Sequence, residues 1–238
     1  MVASIENVWC IVPAGGIGKR MNSAIPKQYL AFQSTTVIDF TLKRLLRCKQ
    51  IDKVIVAIHE DDIEWKNTAY VEHPKVITTH GGVERAHSVL NALQKIKTLG
   101  KAQDWVLVHD AARPCVLPSD IELLIGLADK KKTGAILAAP IADTVKQVSN
   151  GRVDKTLDRQ CLWRALTPQI FRVKELEDAL LGAMEMNAPV TDEASAIELA
   201  GGKPLIAEGR GDNIKITSPM DLSMASYIIE QQELSKCE

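Results

Sequence analysis

The chain alternates short runs of consecutive apolar residues with longer stretches in which apolar residues recur every three or four positions. Five of the runs are rich in Val, Ile and Ala and are predicted to be strands, at 8–12, 53–59, 75–80, 105–109 and 134–141. Because successive residues of these runs are apolar, rather than every second one, both faces of each strand should be buried. The pattern predicts a mostly parallel sheet.

The stretches between the runs have helical periodicity. The apolar face of the first predicted helix contains Ile38, Leu42, Leu45 and Leu46, and that of the second contains Ala86, Val89, Leu90, Leu93 and Ile96. Capping signals predict two more helices, one beginning near Ser119 with Glu122 three residues on, and one at Ser218 before Pro219. This alternation of strand and helix predicts an α/β fold with an open, doubly wound, Rossmann-like sheet, whose ligands bind outside the carboxyl ends of the strands.

Residues 143–172 interrupt the alternation. Two short polar strands, "TVKQV" and "RVDKTL", flank the segment "SNG", and Asn-Gly is a turn signal of β-hairpins. Two polar strands are marginally stable alone in water, so this segment should lean on other protein. We expect a protruding β-hairpin arm that contributes to a homodimer. No repeat or shift in composition marks a second domain, so residues 1–238 are predicted to form a single domain that carries the arm.

Composition and charge narrow the possible partners. The 238 residues are 46% hydrophobic, enough for a sizeable core, and 29 basic against 30 acidic side chains give a net charge of −1. Such a balance predicts no general attraction to nucleic acid or to an acidic membrane surface, so an anion site must be local. The chain has no run of about 18 apolar residues and no secretory signal pattern, and the cytoplasm is the expected location. The five cysteines are widely spaced, which argues against a disulfide framework or a zinc site.

A glycine-rich stretch, "IVPAGGIGKRMNSAIPKQYL" from Ile11 to Leu30, follows the first predicted strand. It lacks the Walker pattern, because Pro13 stands where the first glycine belongs, and it lacks the dinucleotide pattern, because Met21 replaces the third glycine. Glycines nevertheless let the backbone approach a phosphate closely, and Lys19, Arg20 and Lys27 supply positive charge. A solvated cationic turn is the alternative interpretation, but a polyphosphate site is favoured.

A second set of polar residues follows the strand at 105–109. In "HDAARP", Asp110 is suited to a metal–phosphate unit and Arg113 to clamping a phosphate, although a structural salt bridge in a turn is the alternative. His109 is interpreted as a packed residue at the strand end. Similar polar segments occur at 158–169, 191–195 and 211–217, where Thr191 is also a candidate helix cap.

Taken together, the motifs "PAGGIGKRM…PKQYL", "HDAARP", "LTPQ", "TDEAS" and "DNIKIT" resemble those of the bacterial 2-C-methyl-D-erythritol 4-phosphate cytidylyltransferases, from near one end of the chain to the other. The resemblance implies transfer of a cytidylyl group from CTP to methylerythritol 4-phosphate, with release of pyrophosphate, in non-mevalonate isoprenoid synthesis. It also implies that the glycine-rich stretch binds the triphosphate of CTP together with Mg²⁺. A cytidylyltransferase for another polyol phosphate, such as ribitol 5-phosphate, and a non-catalytic nucleotide-binding module are the alternatives.

The resemblance assigns roles to individual residues. The cations that stabilise the reacting phosphates or steer the substrate phosphate are Arg20, Lys27, Arg159 and Lys215. The contacts to CTP are assigned to Ala14, Gly15, Gly16, Gly18, Gly82 and Ser88. The residues that hold methylerythritol phosphate are Asp110, Arg113, Thr167 and Thr191, and Asp110 and Asp212 are the candidate acids on the metal side.

Two positions depart from the family pattern. Gly15 stands where the family usually has Ala, a change that should be harmless, and Val83 stands where relatives often carry an acid beside the base. The mechanism needs no general base, because the nucleophile is a phosphate oxygen that is already ionised at pH 7. Mg²⁺ should be held mainly by CTP oxygens and water, since it keeps its hydration and prefers phosphate ligands.

Overall fold

A computed structural model describes residues 8–16 and 25–235. Within these residues the main sheet has seven strands in the order β11-β7-β10-β6-β1-β4-β5. They are β1 (Val8–Pro13), β4 (Ile51–Ile58), β5 (Val76–His80), β6 (Trp105–Val108), β7 (Ala135–Pro140), β10 (Trp163–Arg172) and β11 (Leu205–Glu208). Among the described strands of this sheet, β10 alone runs antiparallel to its neighbours.

Six helices are described. They are α1 (Val37–Arg47), α2 (Arg85–Lys97), α3 (Pro118–Lys131), α4 (Val173–Glu185), α5 (Glu193–Leu199) and α6 (Pro219–Leu234). Two small antiparallel ladders are also described, β2 (Ala31–Phe32) with β3 (Thr35–Thr36), and β8 (Lys146–Ser149) with β9 (Arg152–Thr156), together with three 3₁₀ turns (Lys27–Tyr29, Trp65–Asn67 and Arg159–Cys161). Within the described stretches, every helix falls short of the length and apolarity that crossing a bilayer requires.

Helices cover both faces of the main sheet, as the apolar runs predict. Cys10 and Val12 of β1 pack in one cluster with side chains of α1 and α3, whereas Trp9 and Ile11 pack in a second cluster with side chains of α2, α4 and α5. Successive side chains of a strand point to opposite faces, so burial on both sides requires an unbroken apolar run. The prediction of a doubly wound, mostly parallel sheet is confirmed.

The last helix packs elsewhere. Ala225 and Ile229 of α6 lie in a third cluster with Phe32, Phe40 and Ile216. This cluster fixes the segment just before α6, which contains "DNIKIT", against the start of α1. The cap predicted at Ser218 is confirmed, because its hydroxyl accepts from the backbone N–H of Asp221.

The predicted cap of α3 is wrong in detail. The N-cap is Leu117, two residues before Ser119, so the helix begins at Pro118, and Asp120 accepts from the backbone N–H of Leu117. Proline is favoured in the first helical position, where its missing N–H costs nothing, so Ser119 lies inside the helix.

The hairpin predicted around Asn150 and Gly151 is present as β8 and β9. Both turn residues have positive φ, 49° and 75°, as a two-residue hairpin turn of this kind requires. The eleven residues of the two strands and their turn are exposed, and the ladder is separate from the main sheet. The sequence interpretation extended the arm to Arg172, but residues 163–172 form β10 between β6 and β7, so the separate hairpin is shorter.

Candidate active site

Two adjoining cavities open where β1 and β6 end. The larger, about 310 Å³, is lined by the loops after β1, β5 and β6, and the smaller, about 200 Å³, lies between β6, β10 and the start of α5. Arg85, Asp110 and Lys215 line both cavities. The carboxyl ends of neighbouring parallel strands are where α/β sheets of this type bind ligands.

The larger cavity gathers the described residues that the resemblance assigns to CTP. They are Ala14, Gly15, Gly16, Gly82 and Ser88. Gln28 fixes the glycine-rich loop: its buried side-chain amide donates to the carbonyls of Ala14, at 2.6 Å, and Gly16, at 3.2 Å. The sequence interpretation did not assign Gln28 a role, although it lies in the quoted motif. Gly18 and Arg20 lie outside the described residues.

The far wall of this cavity is the start of α2. The backbone N–H of Gly82 donates to the hydroxyl of Ser88 at 2.9 Å, which in turn donates to the carbonyl of Glu84. A Cβ on Gly82 would lie 2.2 Å from the Cβ of His87, so this position requires glycine. Val83 is 99% exposed at the rim.

The loop after β1 tolerates the departure from the family pattern. A Cβ on Gly15 would lie 3.5 Å or more from its nearest neighbours, which is ordinary van der Waals contact. Alanine would therefore fit at this position, and glycine in its place is sterically neutral.

Lys27 enters the same cavity from a short 3₁₀ turn, 27–29. Its ammonium donates to the carbonyl of Ile216 at 3.0 Å, between the cavity-lining residues Lys215 and Thr217. Lys27 therefore also links the glycine-rich region to the segment before α6, a structural role that its place in the sequence does not reveal.

The smaller cavity gathers the residues assigned to methylerythritol phosphate. Arg113, Thr167 and Thr191 line it, together with Asp110 and Lys215. Thr191 is not the cap of α5, because Asp192 is the N-cap and accepts from the N–H of Ser195. The side chain of Thr191 is therefore not used as the helix cap.

Asp110 is the centre of a network of charges between the cavities. Its Oδ1 accepts from Arg85 Nε at 3.0 Å, and its Oδ2 accepts from Arg113 Nε at 3.3 Å and lies 2.9 Å from Lys215 Nζ. Burial alone would raise the pKa of Asp110, but the charges of these three cations outweigh it and hold the pKa well below its usual range. Asp110 is therefore ionised at neutral pH.

A second carboxylate completes the network. Arg85 donates two hydrogen bonds to Glu193, at 2.6 and 3.0 Å, and Glu193 is 1% exposed. Sequence reasoning missed both residues, although Arg85 lies in "GGVERAHS" and Glu193 in "TDEAS". Neither motif gives a signal for this pair, because Glu84 lies beside Arg85 and Asp192 lies beside Glu193, and only the fold brings the two side chains together.

The two candidate metal acids are not brought together. Both oxygens of Asp110 are engaged by cations, and Asp212 accepts from Arg210 and Gln232. Asp212 lines neither of the two cavities, and the described residues contain no group of three His, Cys, Asp or Glu side chains that could hold a metal ion.

Arg159 is within the described residues but lines neither cavity. It is exposed in a short 3₁₀ turn that follows the hairpin, and its guanidinium donates to the carbonyl of Ala142. Of the four cations assigned by the resemblance, the structure thus brings Lys27 and Lys215 to the larger cavity and leaves Arg159 outside it.

Comparison with known proteins agrees with this arrangement. The family model for 2-C-methyl-D-erythritol 4-phosphate cytidylyltransferase matches residues 8–231. The cytidylyltransferase of that name from Tolumonas auensis is 48% identical over 97% of this chain and 100% of its own, and the one from Vibrio atlanticus is 45% identical over 98% and 100%. The crystal structure of the Francisella tularensis enzyme superposes with a TM-score of 0.81 at 41% identity, covering 93% of this chain and 99% of that one. The chain belongs to the 2-C-methyl-D-erythritol 4-phosphate cytidylyltransferase family.

Proposed function

We propose that this chain transfers the cytidylyl group of CTP to the phosphate of 2-C-methyl-D-erythritol 4-phosphate, giving 4-diphosphocytidyl-2-C-methyl-D-erythritol and pyrophosphate. The observation that supports it most is the pair of adjoining cavities that share Asp110, Arg85 and Lys215. A two-substrate transfer needs one site for the nucleotide and one for the acceptor, separated by a wall that is cationic where phosphates meet. Family membership supplies the identity of the two substrates.

The chemistry is proposed to rest on positioning and charge. The attacking group is a phosphate oxygen of the acceptor, so the chain has to align it with the α-phosphate of CTP and stabilise the charge that develops there. Lys27 and Lys215 line the nucleotide cavity and are suited to that role, and Arg20 is proposed to join them. His109 is buried and hydrogen-bonded within the protein, in keeping with a reaction that needs no general base.

Mg²⁺ is the proposed cofactor. The described residues fit a cation that arrives with the nucleotide: both oxygens of Asp110 are engaged by cations, and no ready-made cluster of ligands lies among residues 8–16 and 25–235. Magnesium prefers phosphate oxygens and water, and when bound it would neutralise charge on the α-phosphate and the departing pyrophosphate. Asp110 would orient Lys215 and Arg113 toward the substrates.

The experiment that tests the function measures pyrophosphate release from purified protein with CTP, Mg²⁺ and a panel of polyol phosphates. We expect methylerythritol 4-phosphate to be preferred over ribitol 5-phosphate, and CTP over ATP. Comparable turnover with ribitol 5-phosphate would move the assignment to a cytidylyltransferase of another specificity. Binding of CTP without turnover of any acceptor would favour a nucleotide-binding module.

We also propose a homodimer in which the arm completes the partner's site. The apolar side chains of Val148 and Val153 in the hairpin are exposed to solvent, and Arg159 lies outside both cavities of its own chain. A two-fold dimer would let each chain lend its arm to the other. In this proposal the chain is one nucleotidyltransferase domain, 1–238, with the arm as its projection.

Mixed dimers test the shared site. Lys27→Ala and Arg159→Ala proteins are each expected to be inactive, and subunit exchange between them should restore activity. If Arg159 acts across the interface, each mixed dimer contains one doubly damaged site and one intact site. Verified mixed dimers without recovered activity would rule the arrangement out.

The cytoplasm is the proposed location. Cys10, Cys48 and Cys115 are buried free thiols and Cys161 is an exposed one, whereas secreted proteins of oxidising compartments tend to pair their cysteines.

A further inference from the structure

Two polar groups just after the end of β6 contact the hydroxyl of Thr167. The backbone N–H of Asp110 donates to Thr167 Oγ1 at 3.1 Å, and the same oxygen lies 3.1 Å from His109 Nδ1. The other ring nitrogen of His109, Nε2, lies 3.1 Å from the carbonyl oxygen of Arg113. His109 is fully buried and Thr167 is nearly so, yet Thr167 lines the smaller cavity.

These contacts fix the position of each proton. A carbonyl oxygen can only accept, so His109 Nε2 must carry the proton that lies between it and Arg113. His109 is fully buried, and the described partners of its ring nitrogens are the Thr167 hydroxyl and the Arg113 carbonyl. Burying an imidazolium without a carboxylate partner is costly, so the ring is neutral. In the neutral ring Nδ1 is an acceptor, so the single proton of the Thr167 hydroxyl points at it.

The Thr167 hydroxyl has one lone pair left. Its proton is held by His109 and one lone pair receives the Asp110 N–H, so toward the cavity it can accept a hydrogen bond but cannot donate one. A phosphate dianion, which only accepts, is therefore a poor neighbour for this oxygen. A hydroxyl group, which can donate, is a good one.

We propose that His109 is a positioning residue that sets acceptor specificity, because it holds the Thr167 hydroxyl as a pure hydrogen-bond acceptor that recognises a hydroxyl of the polyol. This inference rests on the proposed function, and it assigns the hydroxyl groups and the phosphate of the acceptor to different parts of the smaller cavity. The polyol chain lies against Thr167, and the phosphate lies toward the cations Arg113 and Lys215 on the same cavity wall.

The surroundings of Thr167 keep this arrangement rigid. The pairing of β10 with β7 is interrupted between Ala165 and Gln169, which places Thr167 in an irregular part of the strand, where bulges commonly re-aim a side chain. Its carbonyl accepts from the buried side-chain amide of Asn213 at 2.8 Å. The residue is held at the carbonyl as well as at the hydroxyl, so the lone pair keeps its direction.

The tautomer of His109 can be measured without any substrate. Long-range ¹H–¹⁵N NMR spectra of protein labelled in its imidazole rings distinguish a neutral ring protonated on Nε2 from one protonated on Nδ1. We expect His109 to be protonated on Nε2 at pH 7. Protonation on Nδ1, or an imidazolium, would overturn the proposal even if the enzyme is active as proposed above.

Acceptor analogues test the specificity. Replacing one hydroxyl of methylerythritol 4-phosphate at a time by fluorine keeps a weak acceptor and removes the donor. For one of these analogues we expect kcat/KM to fall about tenfold with the native protein, the equivalent of one hydrogen bond. With Thr167→Val the same replacement should change kcat/KM by less than about threefold, because the partner is already gone.

Two further variants separate orientation from mere contact. Thr191→Val removes a hydroxyl from the same cavity that does not contact His109, and it should keep the penalty for the critical analogue. His109→Leu frees the Thr167 proton to turn toward the cavity, and it should reduce that penalty while leaving the KM for CTP within about threefold of native. If Thr167→Val and the native protein respond to every analogue alike, the proposal fails. Absence of turnover with methylerythritol 4-phosphate itself would instead overturn the function, while the NMR result would still decide the tautomer.

Discussion

Glu193→Gln tests whether the network between the cavities stabilises the fold and the site together. The substitution keeps the size of the side chain and one acceptor oxygen, but it removes the negative charge that Arg85 meets through two hydrogen bonds. The amide of the new side chain would direct N–H groups at the guanidinium. One strong hydrogen bond is therefore lost and replaced by a contact between two donors.

The expected cost follows from burial. Glu193 is 1% exposed and the side chain of Arg85 is 26% exposed, and breaking a buried ion pair costs about 3 to 5 kcal/mol. Arg85 keeps its contact with Asp110, so we expect the lower end, about 3 kcal/mol. For a protein of this size that corresponds to a fall in Tm of about 6 to 12 °C.

The chain offers a matched control. Glu177 is also buried, at 7% exposure, and also receives two hydrogen bonds, but its partner Lys97 is 48% exposed and can stay in water when the carboxylate is removed. Glu177→Gln should therefore cost only about 1 kcal/mol. Urea unfolding at pH 7 measures both changes, and steady-state kinetics should show a rise in the acceptor KM for Glu193→Gln only. Equal destabilisation by the two variants, or an unchanged acceptor KM in Glu193→Gln, would refute the reasoning.

Three further predictions have defined outcomes. Gly82→Ala should destabilise the protein by about 1 to 3 kcal/mol and raise the KM for CTP, because its Cβ would collide with His87. Gly15→Ala should leave the stability and the KM for CTP within error. Equal effects of the two variants in thermal melts and CTP titrations would contradict the geometry. Lys27→Ala should lower kcat by about 10² to 10³, the loss of one preorganised contact to the transition state, and a near-native kcat in steady-state assays would exclude that role. Burial lowers the pKa of His109 from 6.5 to about 4, so the unfolded chain takes up a proton on this ring at a higher pH than the folded protein does. The free energy of unfolding should therefore fall by about 3 kcal/mol between pH 6.5 and pH 4. Urea unfolding of His109→Asn should show a smaller fall over the same range.

Most of the main sheet could be predicted because its strands carry their own signal. Four of the seven strands, β1, β4, β6 and β7, contain an unbroken apolar run, and the observed bounds of all five predicted strands differ from the predicted ones by no more than two residues at either end. The prediction that each strand is buried on both faces is wrong for β5, which lies at the edge of the sheet and is partly exposed. A strand with a helix on each face must be apolar throughout, so local composition reports the environment directly. The turn at Asn150 and Gly151 is equally local, because positive φ at both residues is a property of those two residues.

β10 could not be recognised in the same way. Its first three residues are exposed, Pro168 interrupts it, and Thr167 and Gln169 are polar but buried, so it lacks both the alternating and the continuous pattern. Its place is set by the neighbouring strands β6 and β7, which supply the hydrogen bonds. Proline in an apparently polar segment argues against a central strand, and here tertiary pairing at an irregular position overrides that rule.

The candidate site shows the same division between local and tertiary information. Ala14 to Gly16, Gly82 and Ser88 could be named because they lie in motifs whose order along the chain resembles a family, and the structure brings them to one cavity. Arg85 and Glu193 are 108 residues apart, and nothing beside either of them in the sequence indicates that the two charges meet. A charged residue in a polar loop is expected to be solvated, so only the fold reveals that this pair is partly withdrawn from water.

The charges around Asp110 also decide what the acceptor pocket can bind. Arg85 is balanced by Glu193, whereas Arg113 and Lys215 share the single negative charge of Asp110, which leaves one positive charge in excess beside Asp110. Asp192, which lines the same pocket, accepts instead from the backbone N–H of Ser195 and the side-chain amide of Gln169. Asp110 and Glu193 are both paired within the cluster, so the excess positive charge lies beside the Thr167 hydroxyl, which can only accept a hydrogen bond. A neutral polyol would leave that positive charge without a counterion, and a phosphate monoester dianion without hydroxyl groups would offer no donor to the Thr167 hydroxyl. The excess positive charge and the acceptor hydroxyl of this pocket therefore favour a ligand that carries a phosphate and a hydroxyl group on one short chain, which is the chemistry of a polyol phosphate.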